Sequence, residues 1–290
     1  MQTASGADGA RKGGPARRPA AGLAPTRTLP GMLRTVTATR YVTPFREGGS
    51  LPGLCEADDD GLYVVKFRGA GQGAKALAAE VIAGELGRAL GLLVPEQVLV
   101  ELDPAIGAGE PQWEVKELLD RSPGTNLGVD FLPGALAFAP AIAPRPDPAQ
   151  AAAIAWFDAL VTNPDRSARN VNLLTWHGRV YCIDHGAALF AHHRWEDPVA
   201  QARRPFPWIA DHVLLPFAAP IPEADARLAP LVTSRLLDEI VADVPDAWLA
   251  GDPAFASVAQ NRAAYVAYLL ARLSPPRGFV EEAERARTAA

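Results

Sequence analysis

A chain of 290 residues, 49% hydrophobic and 21% charged, suits a soluble globular protein built as one bilobed domain or two small ones. Its net charge of −5 withholds the cationic footprint that a broad nucleic-acid or anionic-membrane surface requires, so neither direct nucleic-acid binding nor membrane attachment is expected. No apolar run reaches the ~18 residues of a membrane span, and Cys55 and Cys182 are too few for a disulfide framework; both read as reduced thiols in a cytoplasm.

Residues 1–30 are rich in Gly, Pro and Ala, and basic. They contain no apolar core of a secretory signal and read as a disordered tail. Residues 31–68 read as strands and turns: MLRTVTATRYVTPF is β-branched and aromatic, REGGSLPG is a turn-rich break, and EADDDG is a hairpin turn. GLYVVKFRG is a strand whose apolar run ends on Lys66. Residues 74–90 form a helix with Leu77, Ala78, Val81, Ile82, Leu86 and Ala89 on one stripe, closed by Gly91 and Pro95. EQVLVEL and PQWEVKELL then read as two more strands and 120–146 as a loop. This order sets a β-rich N-lobe at 31–118 and a larger, mainly helical C-lobe at 119–290.

A second helix is expected over 147–161, with Asp147 as N-cap, Pro148 at the first position and Gln150 completing a capping box. It ends before Asn163-Pro164 because proline disfavours helix in the residue before it. Beyond 200, helices are expected near 206–217, 223–241 and 255–273. Trp156, Trp195, Trp208 and Trp248 read as core, His177, His192 and His193 as turn or solvated residues, and His185 as a hydrogen-bonding residue fixing its turn.

The stretch TNPDRSARNVNLLTWHGRVYCIDHG at 162–186 carries the chemistry. Two strand-like runs, VNLLTW and RVYCI, flank His177-Gly178. A three-residue turn with Gly178 left-handed sets Asn170 across from Asp184, with Cβ atoms about 4.5–5.5 Å apart; a two-residue turn slips the register by one. Asp165 lies in an irregular loop able to fold over the open end. An amide and a carboxylate side by side, completed by water and phosphate oxygens, is how Mg²⁺ is usually held. A second, free carboxylate can accept a hydroxyl proton. Phosphoryl transfer needs such positioning and charge neutralisation. In the first lobe, Gly48, Gly49 and Ser50 form a turn able to approach phosphates through backbone N–H groups. Lys66 needs an anionic partner; Glu80 and Glu85 on the following helix compete for it. The backbone at Glu117 and Leu118, read as the connector between lobes, can meet an adenine edge.

With NPDRSARN at 163–170 followed by YCIDHG at 181–186, the chain resembles the HipA-like serine/threonine kinases. GGS at 48–50, YVVKF at 63–67 and AEVIAGELGRALGL at 79–92 support the resemblance, which covers roughly 40–215. It implies an α+β, bilobed protein-kinase-like fold and Mg-dependent use of ATP. Asp165 would be the catalytic aspartate, Asn170 and Asp184 the metal ligands, and Lys66 the contact to the α/β-phosphates, steadied by Glu80. Gly48, Gly49 and Ser50 would cover the phosphates, and Ser50 is the nearest candidate for inhibitory autophosphorylation. Ser167 stands where the family usually has a structural His, which bears on loop geometry. The longer toxins of that family carry an extra N-terminal subdomain for partner contacts that is not expected in this chain, so an antitoxin-like partner carries over poorly. The expected activity is phosphoryl transfer to Ser or Thr of a protein of unknown identity. A nucleotide-binding pseudokinase, a small-molecule or lipid kinase, and a metal-dependent hydrolase are the alternatives.

Overall fold

The computed structural model describes residues 33–45, 51–141 and 145–290; the basic stretch expected to be a tail and the turn with Gly48, Gly49 and Ser50 lie outside the described residues. Five strands close into a barrel: β1 (Thr35–Pro44), β2 (Gly53–Ala57), β3 (Leu62–Lys66), β4 (Gln97–Leu102) and β5 (Gly124–Asp130). Their order is β1-β2-β3-β5-β4, and β4 returns parallel to β1 to shut the sheet on itself. Strand alternation sends Tyr63 and Val65 into the barrel core, with Val36, Cys55, Val98 and Val100. It sends Lys66 to the opposite face, where α1 (Gly73–Ala89) packs.

The sequence misplaces two elements here. PQWEVKELL is a helix, α2 (Trp113–Asp120), rather than a strand. Val115 and Leu119 are its buried pair at helical spacing, and Lys116–Asp120 and Glu117–Arg121 are paired one turn apart on its exposed side. The next segment, expected to be a loop, contains β5 between β3 and β4. Its interior glycine, Gly128, is there for packing: a Cβ on it would lie 2.6 Å from Val100 Cγ2. The barrel therefore runs past the expected boundary near 118–120 and ends at Asp130.

The remaining chain is mostly helical. It comprises α3 (Pro148–Val161), α4 (Pro198–Ala202), α5 (Ile221–Leu228), α6 (Ser234–Ala242), α7 (Asp246–Leu249), α8 (Val258–Leu273) and α9 (Gly278–Ala289). The segment 206–217 is two short 3₁₀ turns, 223–241 is split between α5 and α6, and α9 is an addition to the expected set. A three-stranded sheet, β6 (Leu136–Ala137), β7 (Leu173–Trp176) and β8 (Arg179–Cys182), sits against this body. α3 starts as its sequence dictates, with Asp147 accepting the Gln150 N–H at 2.9 Å, and it is buried along Ala151–Val161. α1 follows the barrel strand that carries Lys66, yet its buried side chains belong to the core of the helical body. Each Leu, Ile or Val buried there contributes about 1.5–3 kcal/mol of transfer free energy. Trp156, Trp195 and Trp248 are core residues, but Trp208 is 48% exposed. His192, expected as a turn or solvated residue, lies in a 3₁₀ turn but is buried on Tyr265 Oη at 3.1 Å, and burial pushes its imidazole down to about 3. Cys55 and Cys182 are free and buried, which pushes both thiols up to about 12. No helix among the described residues is long and apolar enough to cross a membrane.

Candidate active site

Lys66, at the end of β3, meets α1 and the segment after β8 in one place. Its ammonium donates to Glu80 Oε1 and, at 2.6 Å, to Asp184 Oδ1. Glu80 also accepts the Gly186 N–H at 2.8 Å, so one carboxylate ties the barrel lysine to the backbone beyond Asp184. Gly186 suits that approach, since a Cβ there would come within 3.3 Å of Glu80 Oε1. His185 is buried beside the same carboxylate, its Nδ1 3.8 Å from Glu80 Oε2. Glu85, the competing partner, faces Arg88 instead at 3.4 Å, and burial pushes its carboxyl up to about 7.

The second half of the site is the loop after α3. Asn170 Nδ2 donates to Asp165 Oδ1 at 2.8 Å, and Asn172 Nδ2 holds the Asp165 carbonyl at 2.7 Å and its other carboxylate oxygen at 3.3 Å. Asn163 Oδ1 accepts the Asp165 N–H at 3.1 Å. Three asparagines thus fix one aspartate. The bonding of Asn170 through its nitrogen leaves its amide oxygen for another ligand. Thr162, Asn172, Asp184 and Leu189 all have left-handed φ between +46° and +57°. Such backbone is sparsely populated outside glycine and clusters at functional sites.

The hairpin register differs from the expected one. β7 and β8 pair Trp176 with Arg179 and Leu173 with Cys182, so the turn is the two residues His177-Gly178, both with positive φ. That is the primed turn whose twist suits a hairpin. Asn170 is therefore not opposite Asp184; both lie past the end of the ladder, and Asn170 is turned to Asp165.

What joins the two halves is Arg166, which the sequence reading left without a role. Its side chain is fully buried against Asp158 of α3, with Nε to Oδ2 at 2.5 Å. Nη1 donates to the Asn172 carbonyl and, at 3.4 Å, to that of Ile183, one residue before Asp184. His212 Nε2 completes the cluster at 2.9 Å from Asp158 Oδ2, and its backbone bridges Ser167. The position where a family histidine was expected is thus braced by a histidine from elsewhere in the chain. One signal was readable in the sequence: an acid, Asp158, inside the otherwise apolar helix AAAIAWFDALV.

Electrostatics follow the same layout. Burial opposes charge on Glu80, but the Lys66 ammonium and His185 hold its carboxyl well below the usual range. Lys66 is held above its usual value, because Glu80 and Asp184 outweigh burial. Burial and the Glu80 charge raise Asp184 against the pull of Lys66. Burial is likewise outweighed at Asp158, where Arg166 and His212 keep the carboxyl low. A carboxyl depressed in the fold stabilises it above the unfolded value, ~4 for Asp and Glu, and loses that contribution as pH falls. Within the site Asp184 has the opposite sign but is one group against two, and Glu85, raised to about 7, takes up its proton before that range is reached. Urea midpoints are therefore expected to fall between about pH 5 and pH 3, with Glu80→Gln flattening the slope. A midpoint constant over that range would remove the buried carboxylates as the source of acid sensitivity.

Of the candidate residues, Lys66, Glu80 and Asp184 meet directly, and Asp165 and Asn170 meet directly. Glu117 and Leu118 do not lie on a connector. They sit in α2, where their carbonyls accept from the Arg121 N–H and from Ser122 Oγ. The chain leaves the barrel after Asp130, through 131–135. Asn172, Arg166, Asp158 and Gly186 are additions to the expected set.

A family model described as HipA-like kinase matches residues 39–279. A search of curated proteins returns no match. Among solved structures, the Helicobacter pylori proinflammatory kinase CtkA superposes at a TM-score of 0.48 with 13% identity, over 89% of this chain and 99% of that one. The Golgi casein kinase does so at 0.43 and 13%, over 88% of this chain and 72% of the other, and its form with Mn/ADP bound is similar at the same score. These superpositions are loose, and the assignment rests on the family match. Spanning most of its length, that match shows that the chain belongs to the HipA-like kinases, a family of phosphotransferases.

Proposed function

We propose that this protein is an ATP-dependent kinase that transfers the γ-phosphoryl group to a Ser or Thr hydroxyl of a protein, its own chain included. The observation that carries this reading is the convergence of Lys66, Glu80 and Asp184, held by Arg166 next to the Asp165–Asn170 pair. The barrel with α1 serves as the small lobe and the helical body as the large one. Lys66, fixed by Glu80, presents a cation to the α/β-phosphates. Asp165, whose carboxylate the two amides orient, accepts the proton of the attacking hydroxyl.

The donor set fits a divalent ion. Asn170 offers an amide oxygen and Asp184 a carboxylate 44% exposed. Two protein oxygens are what Mg²⁺ takes when nucleotide phosphates complete its shell. Bound there, the metal would neutralise charge on the phosphates. Gly48, Gly49 and Ser50 retain the role of a phosphate-covering turn in this reading, and the 131–135 connector takes over from Glu117 and Leu118 as the edge that meets adenine. Buried free thiols suit the reducing cytoplasm assigned to it.

Intact-mass spectrometry after incubation with Mg²⁺ and ATP tests the reading. A gain of phosphate mapped to Ser or Thr is expected, and Lys66→Met should abolish it. A Mg·ATP thermal shift with no phosphate on the chain or on any offered protein would make the protein a nucleotide-binding scaffold instead.

A further inference from the structure

A cavity of about 460 Å³ opens beside the candidate active site and has no part in the chemistry above. Its floor includes Thr162, hydrogen-bonded to Tyr268 at 3.2 Å. Thr162 precedes Asp165 by three residues, a reach of at most about 11 Å along an extended chain. One wall is the segment that follows Asp184, pinned to the end of α3 by the Leu189 N–H on the Val161 carbonyl at 2.6 Å. The cavity and Asp165 thus share one loop, within reach of a single extended segment that offers its hydroxyl to Asp165.

Its lining combines two chemistries. Phe190, Phe206 and Trp208 make an aromatic wall, with Trp208 5.6 Å from Phe190 and 5.7 Å from Phe206 between ring centroids. Phe190 and Trp208 are 50% and 48% exposed, a large amount for two adjoining aromatics. The charged lining is Arg194, Arg204 and Arg272 against the single acid Glu196, which already faces Arg204 at 2.8 Å and Arg194 at 3.7 Å. Arg272 is only 4% exposed and has no carboxylate in contact: two nitrogens donate to the Ala159 and Ala202 carbonyls, the guanidinium lies 5.0 Å over the Phe279 ring, and Nε lacks a hydrogen bond. Glu282, whose charge also acts on Arg272, is engaged by the Phe206 N–H at 2.6 Å. A cationic cavity on a chain of net charge −5 is a local arrangement, not a reflection of overall composition.

We infer that this cavity is a docking groove for a segment of the protein substrate that presents an acidic side chain next to an aromatic or large aliphatic one. The carboxylate would face Arg194, Arg204 and Arg272, and the apolar side chain would lie on Phe190 and Trp208. The inference rests on the kinase reading and supplies its substrate class.

Fluorescence anisotropy of two labelled peptides tests it, one carrying Glu and Phe around a central Ser and one with Lys in place of Glu. The wild-type protein should bind the acidic peptide at least about tenfold more tightly, and Trp208→Ala or Arg204→Glu should each remove about tenfold. Both positions are exposed, so the variants are expected to fold; circular dichroism checks this. Equal binding of the two peptides, or variants that bind like wild type, overturns the inference. So does full competition by millimolar phosphate, which would make the cavity an anion site only. A dimer in solution that Trp208→Ala dissociates would assign the groove to a second copy and overturn it too. Phosphate gain by mass spectrometry on the same samples reports the kinase reading separately, because peptide binding needs no turnover.

Discussion

Asp165→Asn is expected to reduce phosphoryl transfer by about 10²–10⁴-fold, the usual contribution of a positioned general base. Asp165 is anchored at four points: both carboxylate oxygens and the backbone carbonyl accept from asparagine amides, and the backbone N–H is held by Asn163. An asparagine in its place keeps the shape and one acceptor oxygen. Its new NH₂ faces a donor, so one hydrogen bond is lost and about 0.5–1.5 kcal/mol of local stability with it. The fold should survive, and the contacts of Lys66 with Glu80 and Asp184 are untouched. Mg·ATP affinity should therefore be unchanged while single-turnover transfer collapses. Transfer at the wild-type rate would remove Asp165 as the base. Loss of nucleotide affinity together with transfer would place it among the binding groups instead.

How much was legible depended on whether the signal was local. α1 and α3 could be read because their signals are local: a stripe and a terminator for α1, and for α3 also a cap, Asp147, which caps it as its sequence implies. The motif residues Lys66, Asp165, Asn170 and Asp184 were legible as types at a spacing. Their contacts were not, because those depend on where β3, α1 and the hairpin meet. β5 was hidden by residues that look like loop formers but serve packing: Gly128 admits Val100, and buried Asn126 bonds the Ser122 and Gly124 carbonyls while accepting the Arg68 N–H. α2 was misread because β-branched and aromatic residues outweighed the i, i+4 pairing of Val115 with Leu119. The hairpin slipped by one residue because a left-handed histidine is an uncommon turn former, and one residue of slip inverts every facing. The Asp158–Arg166–His212 cluster gathers residues up to 54 positions apart, which no local pattern reports.

That cluster carries the largest expected stability effect. Arg166→Met leaves Asp158 fully buried with His212 and the Asn163 amide as its remaining side-chain partners and strips a donor from the Asn172 and Ile183 carbonyls. Breaking a buried ion pair from one side costs about 3–5 kcal/mol, because the surviving charge keeps its desolvation penalty without its partner. At about 2–4 °C per kcal/mol for a chain of this size, the melting temperature should fall by roughly 6–20 °C. Replacing both partners, Asp158→Asn with Arg166→Met, should recover part of that loss, since no unpaired buried charge remains. Activity should not recover with it. Arg166 ties Asn172, which orients Asp165, to Ile183, which precedes Asp184, and a methionine offers neither carbonyl a donor. The double variant is thus expected to be more stable than Arg166→Met and equally slow. Calorimetry paired with single-turnover kinetics separates the two effects. If the double variant regained transfer along with stability, Arg166 would be a structural brace only, and the register between the two halves of the site would have to be set elsewhere.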